Sequence, residues 1–337
     1  MEKKTKAIGL LSGGLDSTLA AKLILEQGIE VEAINYVTVF CNCTSRSSTC
    51  LASQRAVAQL NIPLKVIDVS EEYLSVVKNP RYGYGSGMNP CLDCRIFIFK
   101  KARQYMEESG AKFIFTGEVL GQRPMSQRKD AIHIIERDSG LEGFIVRPLS
   151  AKLFLPTVPE EQGIVDRSKF LAISGRTRKT QISLAKEFGI KDYPCASGGC
   201  LLADQGFSRR MKDLIRHEPD FKLEDANLLK YGRHFRLTPK IKLVVGRNER
   251  ENKAIATLRR EGDVVLSAEE PKGPISILRG ASNGEFIMEA ASITAKYAVG
   301  KEGNNEVKIA CYRYPGGSHN YLKAKPFDDT KLNQLRI

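Results

Sequence analysis

A glycine turn rich in hydroxyl groups follows the first apolar run of the sequence and precedes a helical pattern. The apolar run covers residues 7–11 and the helical pattern residues 19–25. Glycine lets a backbone approach a phosphate closely, and the N-terminus of a helix adds unpaired N–H groups and a positive dipole. The turn therefore predicts a site for a phosphate chain, whose ligands would be Ser12, Gly13, Gly14, Ser17 and Thr18.

Asp16 lies within the same turn, where a carboxylate can position Mg²⁺ on bound phosphates. The alternative is an ordinary first-turn acid that the helix dipole favours. The Gly-Lys-Ser/Thr ending of a Walker A loop is missing. Residues 12–17, SGGLDS, instead resemble the PP-loop of the ATP pyrophosphatases, which adenylate a carbonyl oxygen of their substrate. The resemblance implies that ATP and Mg²⁺ bind here and that AMP is transferred.

A second candidate site is a pair of cysteines, Cys91 and Cys94, at the start of a helical pattern over residues 95–108. A proline before the first turn and the helix dipole both favour thiolates there. The spacing fits redox chemistry, half of a zinc site or two ligands of an iron–sulfur cluster. Two buried, inert cysteines are the structural alternative.

A third thiol, Cys200, follows two glycines, which let a backbone approach a bulky cofactor; Cys195 competes with it. Zinc would need a fourth donor, and the histidines show no spacing that supplies one. Three cysteines would instead leave one iron of a 4Fe–4S cluster open to sulfide.

Three further cysteines, Cys41, Cys43 and Cys50, lie in a Ser/Thr-rich loop. We interpret them as free thiols near the nucleotide, with a second metal site or a sulfur relay as the alternatives.

Three separated motifs resemble enzymes that thiolate tRNA. Residues 90–95, PCLDCR, resemble the cluster-binding C-x-x-C of iron–sulfur-dependent tRNA thiolases. Residues 116–122, TGEVLGQ, with Ser126-Gln127, resemble a segment of tRNA 4-thiouridine synthetases, and residues 197–201 resemble the distal cysteine loop of tRNA 2-thiouridylases. The resemblance implies that Cys91, Cys94 and Cys200 are catalytic and hold the cluster.

The first 150 residues alternate strands and helices, which is typical of an α/β fold with a doubly wound parallel sheet. Gly117 and Gln122 follow one of these strands at its carboxyl end, so we expect them to contact the nucleotide. Strands are predicted at residues 7–11, 31–39, 64–69, 112–115, 132–136 and 144–146, and helices at 51–60 and 95–108.

We expect three segments: a PP-loop ATP-binding domain at 1–150, a helical extension with the distal cysteine at 151–217, and a smaller α+β domain at 218–337. The extension is predicted to contain helices at 167–173, 180–188 and 203–217. In the last domain, residues 230–235 and 242–248 resemble an RNA-binding module of NFACT-type quality-control proteins. Candidate RNA contacts, each equally well explained as a plain charged face or a solvated helix start, are Arg147, Arg176, Arg178, Lys179, Arg233, Arg236, Lys242, Arg247 and Arg250.

The formal net charge is +13 and the pI about 9.3, which favours a polyanionic partner. No apolar run approaches the length of a membrane span, and the N-terminus lacks a signal-peptide core, so we expect a cytoplasmic protein that does not bind membranes. Eight cysteines in such a chain indicate metal or redox chemistry rather than a disulfide framework.

Together these features predict an ATP-dependent tRNA sulfurtransferase. In such an enzyme the O4 or O2 of a uridine would attack the α-phosphorus, and the adenylated carbon would accept sulfur. The resemblance to 4-thiouridine synthetases favours 4-thiouridine at U8, while the resemblance of the distal cysteine loop keeps 2-thiouridine at U34 open. Sulfur would come from inorganic sulfide or a cysteine desulfurase, through the cluster or through a persulfide that Cys94 and Cys200 resolve as a disulfide. A homodimer is one candidate assembly, and the sequence does not define the oligomeric state. The alternatives are a nucleotide-sensing RNA-binding or quality-control factor without thiolation activity, and an amidating PP-loop ligase.

Overall fold

The computed structural model describes residues 4–42, 51–194, 199–280, 284–299 and 306–337. The chain divides after Ala203 into two compact units. The helix over Gln205–His217, which we expected in the middle segment, therefore belongs to the second unit. Within the described residues, no helix is long and apolar enough to cross a membrane.

The first unit is built on a parallel sheet of five strands in the order β3-β2-β1-β4-β5. The order reverses between β1 and β4, and the carboxyl ends of strands at such a switch point are where ligands bind in open α/β sheets. The strands are β1 Lys6–Leu10, β2 Glu30–Val37, β3 Leu64–Asp68, β4 Phe113–Thr116 and β5 Ile145–Val146, and the helices are α1 Leu15–Leu25, α2 Leu51–Leu60, α3 Ser70–Lys78, α4 Cys91–Ser109, α5 Lys129–Ser139, α6 Val158–Glu161 and α7 Lys179–Glu187.

Alternate residues of the central strands fill two apolar layers, one on each face of this sheet. On one face Phe113 and Phe115 of β4 pack with residues of α1 such as Ile24. On the other face Ile114 packs with residues of α4 and α5, such as Phe99. Helices therefore cover both faces, as the α/β pattern predicts, and the doubly wound fold is confirmed.

Two predictions of local structure in this unit were wrong. Residues 132–136, predicted as a strand because of their isoleucines, lie inside α5, where Ala131, Ile132 and Ile135 are buried at helical spacing. Residues 167–173 form only a short 3₁₀ turn, Arg167–Lys169, instead of a helix. Helix α3 was not predicted.

The second unit contains an antiparallel sheet of six strands in the order β11-β10-β8-β9-β7-β6. Helix α11 packs its small, apolar face, including Ala290, Ala291 and Ile293, on this sheet. β11 and α12 were not predicted. The strands are β6 Arg233–Thr238, β7 Ile241–Val245, β8 Val264–Glu270, β9 Lys272–Arg279, β10 Val307–Arg313 and β11 Asn320–Ala324, and the helices are α8 Gln205–His217, α9 Leu223–Leu228, α10 Glu249–Thr257, α11 Gly284–Val299 and α12 Asp329–Leu335.

Candidate functional site

The glycine turn connects β1 to α1 at the switch point of the parallel sheet. Gly13 has φ +77°, and a Cβ there would lie 2.2 Å from the carbonyl carbon of Ala52, so no other residue fits. Gly14 precedes the helix, and within the described residues no side chain caps α1. The first-turn N–H groups of α1 thus keep the electropositive character of a phosphate site.

The hydroxyl groups of the turn divide into two kinds. Ser12 is exposed, and its Oγ lies 3.4 Å from the Oγ of Ser17. Thr18 is almost fully buried, and its hydroxyl donates to the carbonyl oxygen of Gly14 at 3.0 Å. The hydroxyl of Ser17, which is also buried, donates to the same carbonyl oxygen at 2.9 Å. Ser17 and Thr18 therefore stabilise the first turn of the helix from inside, whereas the hydroxyl of Ser12 remains at the site that we predicted for phosphates.

Asp16 is held by a residue far away in the sequence. The side-chain amide of Gln122 donates to Asp16 Oδ2 at 3.1 Å. The other carboxylate oxygen, Oδ1, is buried and accepts no hydrogen bond from any described residue. A buried acceptor without a partner is costly, and a divalent cation satisfies it. The carboxylate of Asp16 thus fits Mg²⁺.

The loop after β4 packs directly on the start of α1. A Cβ on Gly117 would lie 2.3 Å from the backbone nitrogen of Ser17, so this close approach requires glycine. The structure therefore brings Gly117 and Gln122 to the glycine turn.

A buried carboxylate, Glu118, connects this loop to the cysteine helix. Its Oε1 accepts from Arg95 Nη2 at 2.5 Å and its Oε2 from Arg147 Nε at 3.0 Å. Burial alone would raise the pKa of Glu118, but the two guanidinium groups outweigh it, and the pKa is lowered. Arg147 also pairs with Glu136 and is 4% exposed, so the expectation that it grips RNA phosphates is corrected.

Four thiols, which we call the thiol cluster, come together beside this ion pair: Cys41, Cys91, Cys94 and Cys200. Cys91 and Cys94 lie in the first turn of α4, and Cys41 pairs with Cys200 in an isolated antiparallel β-bridge. Burial raises the pKa of Cys200 to about 12 against a backbone hydrogen bond from Leu202, and repulsion from the other three thiols adds to the rise. Burial likewise raises the pKa of Cys94 to about 11.

Each of the other three sulfur atoms has a hydrogen-bond donor close by. Asn89 Nδ2 donates to Cys91 Sγ at 3.1 Å, the Tyr73 hydroxyl donates to Cys94, and the backbone N–H of Thr38 donates to Cys41 Sγ at 3.3 Å.

Across the described residues, no three His, Cys, Asp or Glu side chains are grouped closely enough to hold a metal ion. The thiols converge, but their side chains are directed to separate donors instead of to one centre, so the cluster on Cys91, Cys94 and Cys200 stays a prediction. Cys43, Cys50 and Cys195 lie outside the described residues.

The sequence did not assign Cys41 to this group. The position of Cys41 shortly after β2 could have indicated this, because the loops that follow neighbouring parallel strands meet at one edge of the sheet.

In the second unit, two predicted RNA contacts pair with the carboxylate of Asp213. Arg236, whose side chain is 11% exposed, lies 2.6 Å from it, and the buried Lys242 lies 3.8 Å from it. Burial lowers the pKa of Lys242 to about 8. Both charges are thus compensated within the unit, which argues against a role for them in RNA contact.

Other basic residues of this unit remain at the surface around an aromatic ring. Arg233 stacks over Tyr297 at 4.3 Å from its centroid, and Arg336 Nη2 donates to the Tyr297 hydroxyl at 2.6 Å. The exposed Arg247 pairs with Glu251, and Arg250 is exposed. A guanidinium on an aromatic face suits base stacking and phosphate contact together.

Two family models match the chain, one in each unit. Residues 5–137 match the tRNA methyl transferase HUP domain, and residues 232–336 match the NFACT protein RNA binding domain.

Among curated relatives, the tRNA-specific 2-thiouridylase MnmA of Syntrophotalea carbinolica is 35% identical over 123 residues, which cover 34% of this chain and 35% of the relative. The same enzyme of Pseudomonas fluorescens is 27% identical over 252 residues, covering 69% and 61%. The chain thus spans between about a third and three fifths of the length of these relatives.

A solved 4-thiouridine synthetase in complex with RNA and ATP shares 21% identity at a TM-score of 0.37, covering 66% of this chain and 52% of that one. By its two family models, the chain is similar to the tRNA methyl transferase HUP domain in its first unit and to the NFACT protein RNA binding domain in its second.

Proposed function

We propose that this protein is an ATP-dependent tRNA sulfurtransferase. The observation that carries the proposal is the continuous path of contacts from the glycine turn to the thiol cluster: Gly117 packs on Ser17, and the neighbouring Glu118 pairs with Arg95, one residue after Cys94. A nucleotide site and a group of thiols held side by side suit an enzyme that activates a carbon and then adds sulfur to it. The similarity to tRNA-specific 2-thiouridylases also supports a sulfurtransferase function.

In the activation step, the first turn of α1, which contains Ser17, and the hydroxyl group of Ser12 bind the phosphates of ATP. Asp16, oriented by Gln122, would hold Mg²⁺, which would neutralise phosphate charge. The uridine oxygen attacks the α-phosphorus, and pyrophosphate leaves. Since phosphoryl chemistry needs little beyond alignment and charge compensation, the turn contributes by positioning.

In the sulfur step, Cys200 carries the sulfur that the adenylated carbon accepts, and AMP leaves. A 4Fe–4S cluster held by Cys91, Cys94 and Cys200 would supply a site for labile sulfide. We retain 4-thiouridine at U8 as the favoured product and 2-thiouridine at U34 as the second, with sulfide or a cysteine desulfurase as the source.

The test is thiolation of a tRNA transcript with ATP and either sulfur source, under anaerobic conditions, with AMP release and thionucleosides measured by mass spectrometry. We expect Asp16→Asn to lose both AMP release and thiouridine, and Cys200→Ala to lose thiouridine. Cys311→Ala, in a buried strand of the second unit, is the matched cysteine control. Full thiolation by Cys200→Ala would refute the role of that thiol.

The match to the NFACT RNA-binding domain favours a second candidate, an RNA-binding quality-control factor whose glycine turn senses nucleotide. Such a protein would bind RNA equally well as wild type and as Asp16→Asn, and it would release no AMP. Iron and sulfide analysis of the anaerobic wild type, compared with Cys91→Ala and Cys94→Ala, tests the cluster separately: iron lost in both variants would support it, and an iron-free, active wild type would exclude it.

A further inference from the structure

Cys41 and Cys200 face each other in a defined register. Asn42 N donates to the carbonyl oxygen of Gly199 at 3.0 Å, and Leu201 N donates to that of Phe40 at 2.8 Å. These bonds flank the two cysteines, which therefore form a non-hydrogen-bonded antiparallel pair. In such a pair the Cα atoms are about 4.5 Å apart and both side chains leave the same face of the ladder.

This register meets the backbone requirement of a disulfide. Bridged cysteines have Cα atoms roughly 4.4–6.8 Å apart, a range that includes the separation of about 4.5 Å typical of this kind of pair. Cys41 and Cys200 can therefore be joined with little backbone movement.

The register distinguishes Cys41 from the other two thiols of the cluster. Cys91 and Cys94 lie in the first turn of a helix, and Cys94 accepts a hydrogen bond from the Tyr73 hydroxyl. Only the bridge between Cys41 and Cys200 places a thiol opposite Cys200 through backbone hydrogen bonds, among the residues that the structure describes. The backbone register thus favours Cys41 as the partner of Cys200 over Cys94, which the sequence suggested.

We propose that Cys41 is the resolving thiol of the sulfur transfer, and that each turnover leaves a disulfide between Cys41 and Cys200. The proposal rests on the proposed function and goes beyond it by assigning a role to a cysteine outside the C-x-x-C pair.

The chemistry runs in two balanced steps. The terminal sulfur of a Cys200 persulfide bonds to the adenylated uridine carbon, and the carbon–oxygen bond to AMP breaks, with AMP taking the electron pair. The Cys41 thiolate then bonds to Cys200 Sγ, and the bond between that atom and the transferred sulfur breaks. Thiouridine leaves with that electron pair and takes up the proton that the Cys41 thiol gave to solvent. The two cysteines are oxidised by two electrons, which reduce the transferred sulfur, and an external dithiol later reduces the disulfide.

The first test does not depend on catalysis. Purified protein is equilibrated in glutathione redox buffers, alkylated and digested with trypsin. One peptide then carries Cys41 with Cys43 and another carries Cys195 with Cys200, so fragment spectra and the matched control variants Cys43→Ser and Cys195→Ser assign the bond. We expect a link between Cys41 and Cys200 that survives in both controls and disappears in Cys41→Ser. A link between Cys94 and Cys200 instead, or no link, would overturn the proposal.

The second test is a single turnover with a persulfide-loaded enzyme, ATP and tRNA, without reductant. We expect Cys41→Ser to release AMP as the wild type does but to retain tRNA covalently on Cys200, at more than about tenfold the wild-type level, until dithiothreitol releases it. Free thiouridine from Cys41→Ser at the wild-type rate would refute the resolving role. A wild type that forms the link in glutathione but releases no AMP and no thiouridine would refute the proposed function, and with it that role, while leaving the redox pair established.

Discussion

Replacement of Glu118 by glutamine tests the buried ion pair between the nucleotide loop and the cysteine helix. The side chains of Glu118 and Arg147 are 5% and 4% exposed, and Arg95 is 26% exposed. Loss of one partner from a buried pair typically costs about 3–5 kcal/mol, because the other charge stays buried without compensation. Arg147 keeps Glu136, so we expect the lower end, about 3 kcal/mol, which is more than about a 100-fold change in the unfolding equilibrium.

The assay is urea unfolding of the first unit, followed together with thiolation activity. With a slope of about 2 kcal/mol/M, a loss of about 3 kcal/mol lowers the midpoint by roughly 1.5 M. The matched control is Glu26→Gln, which removes the exposed pair of Glu26 with Lys22 and should cost about 0.3–0.5 kcal/mol.

Acidification gives a further check on the same pair. Because the pKa of Glu118 is lower in the folded protein than in the unfolded chain, its contribution is present above the unfolded pKa and is lost as the pH falls through the folded pKa. The difference in stability between wild type and Glu118→Gln should therefore shrink in acid. If Glu118→Gln lowers the free energy of unfolding by less than about 1 kcal/mol at neutral pH, the expectation is refuted, because exposed ion pairs contribute that little.

Three other predictions address the glycine turn and the second unit. Gly13→Ala should abolish the stabilisation by ATP in thermal unfolding, because the added Cβ would lie 2.2 Å from the Ala52 backbone. The control Gly28→Ala has a similar φ of +76° but open space around the added Cβ, so it should keep the stabilisation by ATP. Burial lowers the pKa of Lys242 to about 8, so the folded unit binds fewer protons here than the unfolded chain does between that value and the usual range of a lysine. The free energy of unfolding of the wild-type second unit, measured in urea relative to Lys242→Met, should therefore rise as the pH increases above 8; a solvated amine would give no such rise. Arg233→Ala should weaken RNA binding and reduce, by about 1, the slope of the logarithm of the association constant against the logarithm of the salt concentration. The control Lys253→Ala should change neither the affinity nor this slope. Equal slopes for both variants would show that the surface around Tyr297 does not contact RNA.

The parallel sheet and the glycine turn could be predicted from the sequence because their signals are local. The turn, its flanking strand and its helix occupy about 20 consecutive residues, and each β-branched run is bounded by turn residues. The helix start at Cys91 follows from the preceding proline in the same way.

The contacts that complete the site could not be predicted, because they join residues that are distant in the chain. Gln122 reaches Asp16 across 106 positions, and Cys41 meets Cys200 through a bridge that no local pattern encodes. Arginine and lysine look alike in sequence whether exposed or buried, so the burial of Arg147 and Lys242 became visible only with their acidic partners.

The bridge that pairs Cys41 with Cys200 has two backbone hydrogen bonds, from Asn42 and Leu201, and it lies outside the sheet. Phe40 and Leu202, beside the paired cysteines, are 1% and 0% exposed, so opening this bridge would expose apolar side chains as well as break two bonds of about 1 kcal/mol each. The amide hydrogens of Asn42 and Leu201 should thus exchange with solvent together. The dithiol and disulfide forms would therefore share one backbone arrangement, and a change of redox state would need no change of fold.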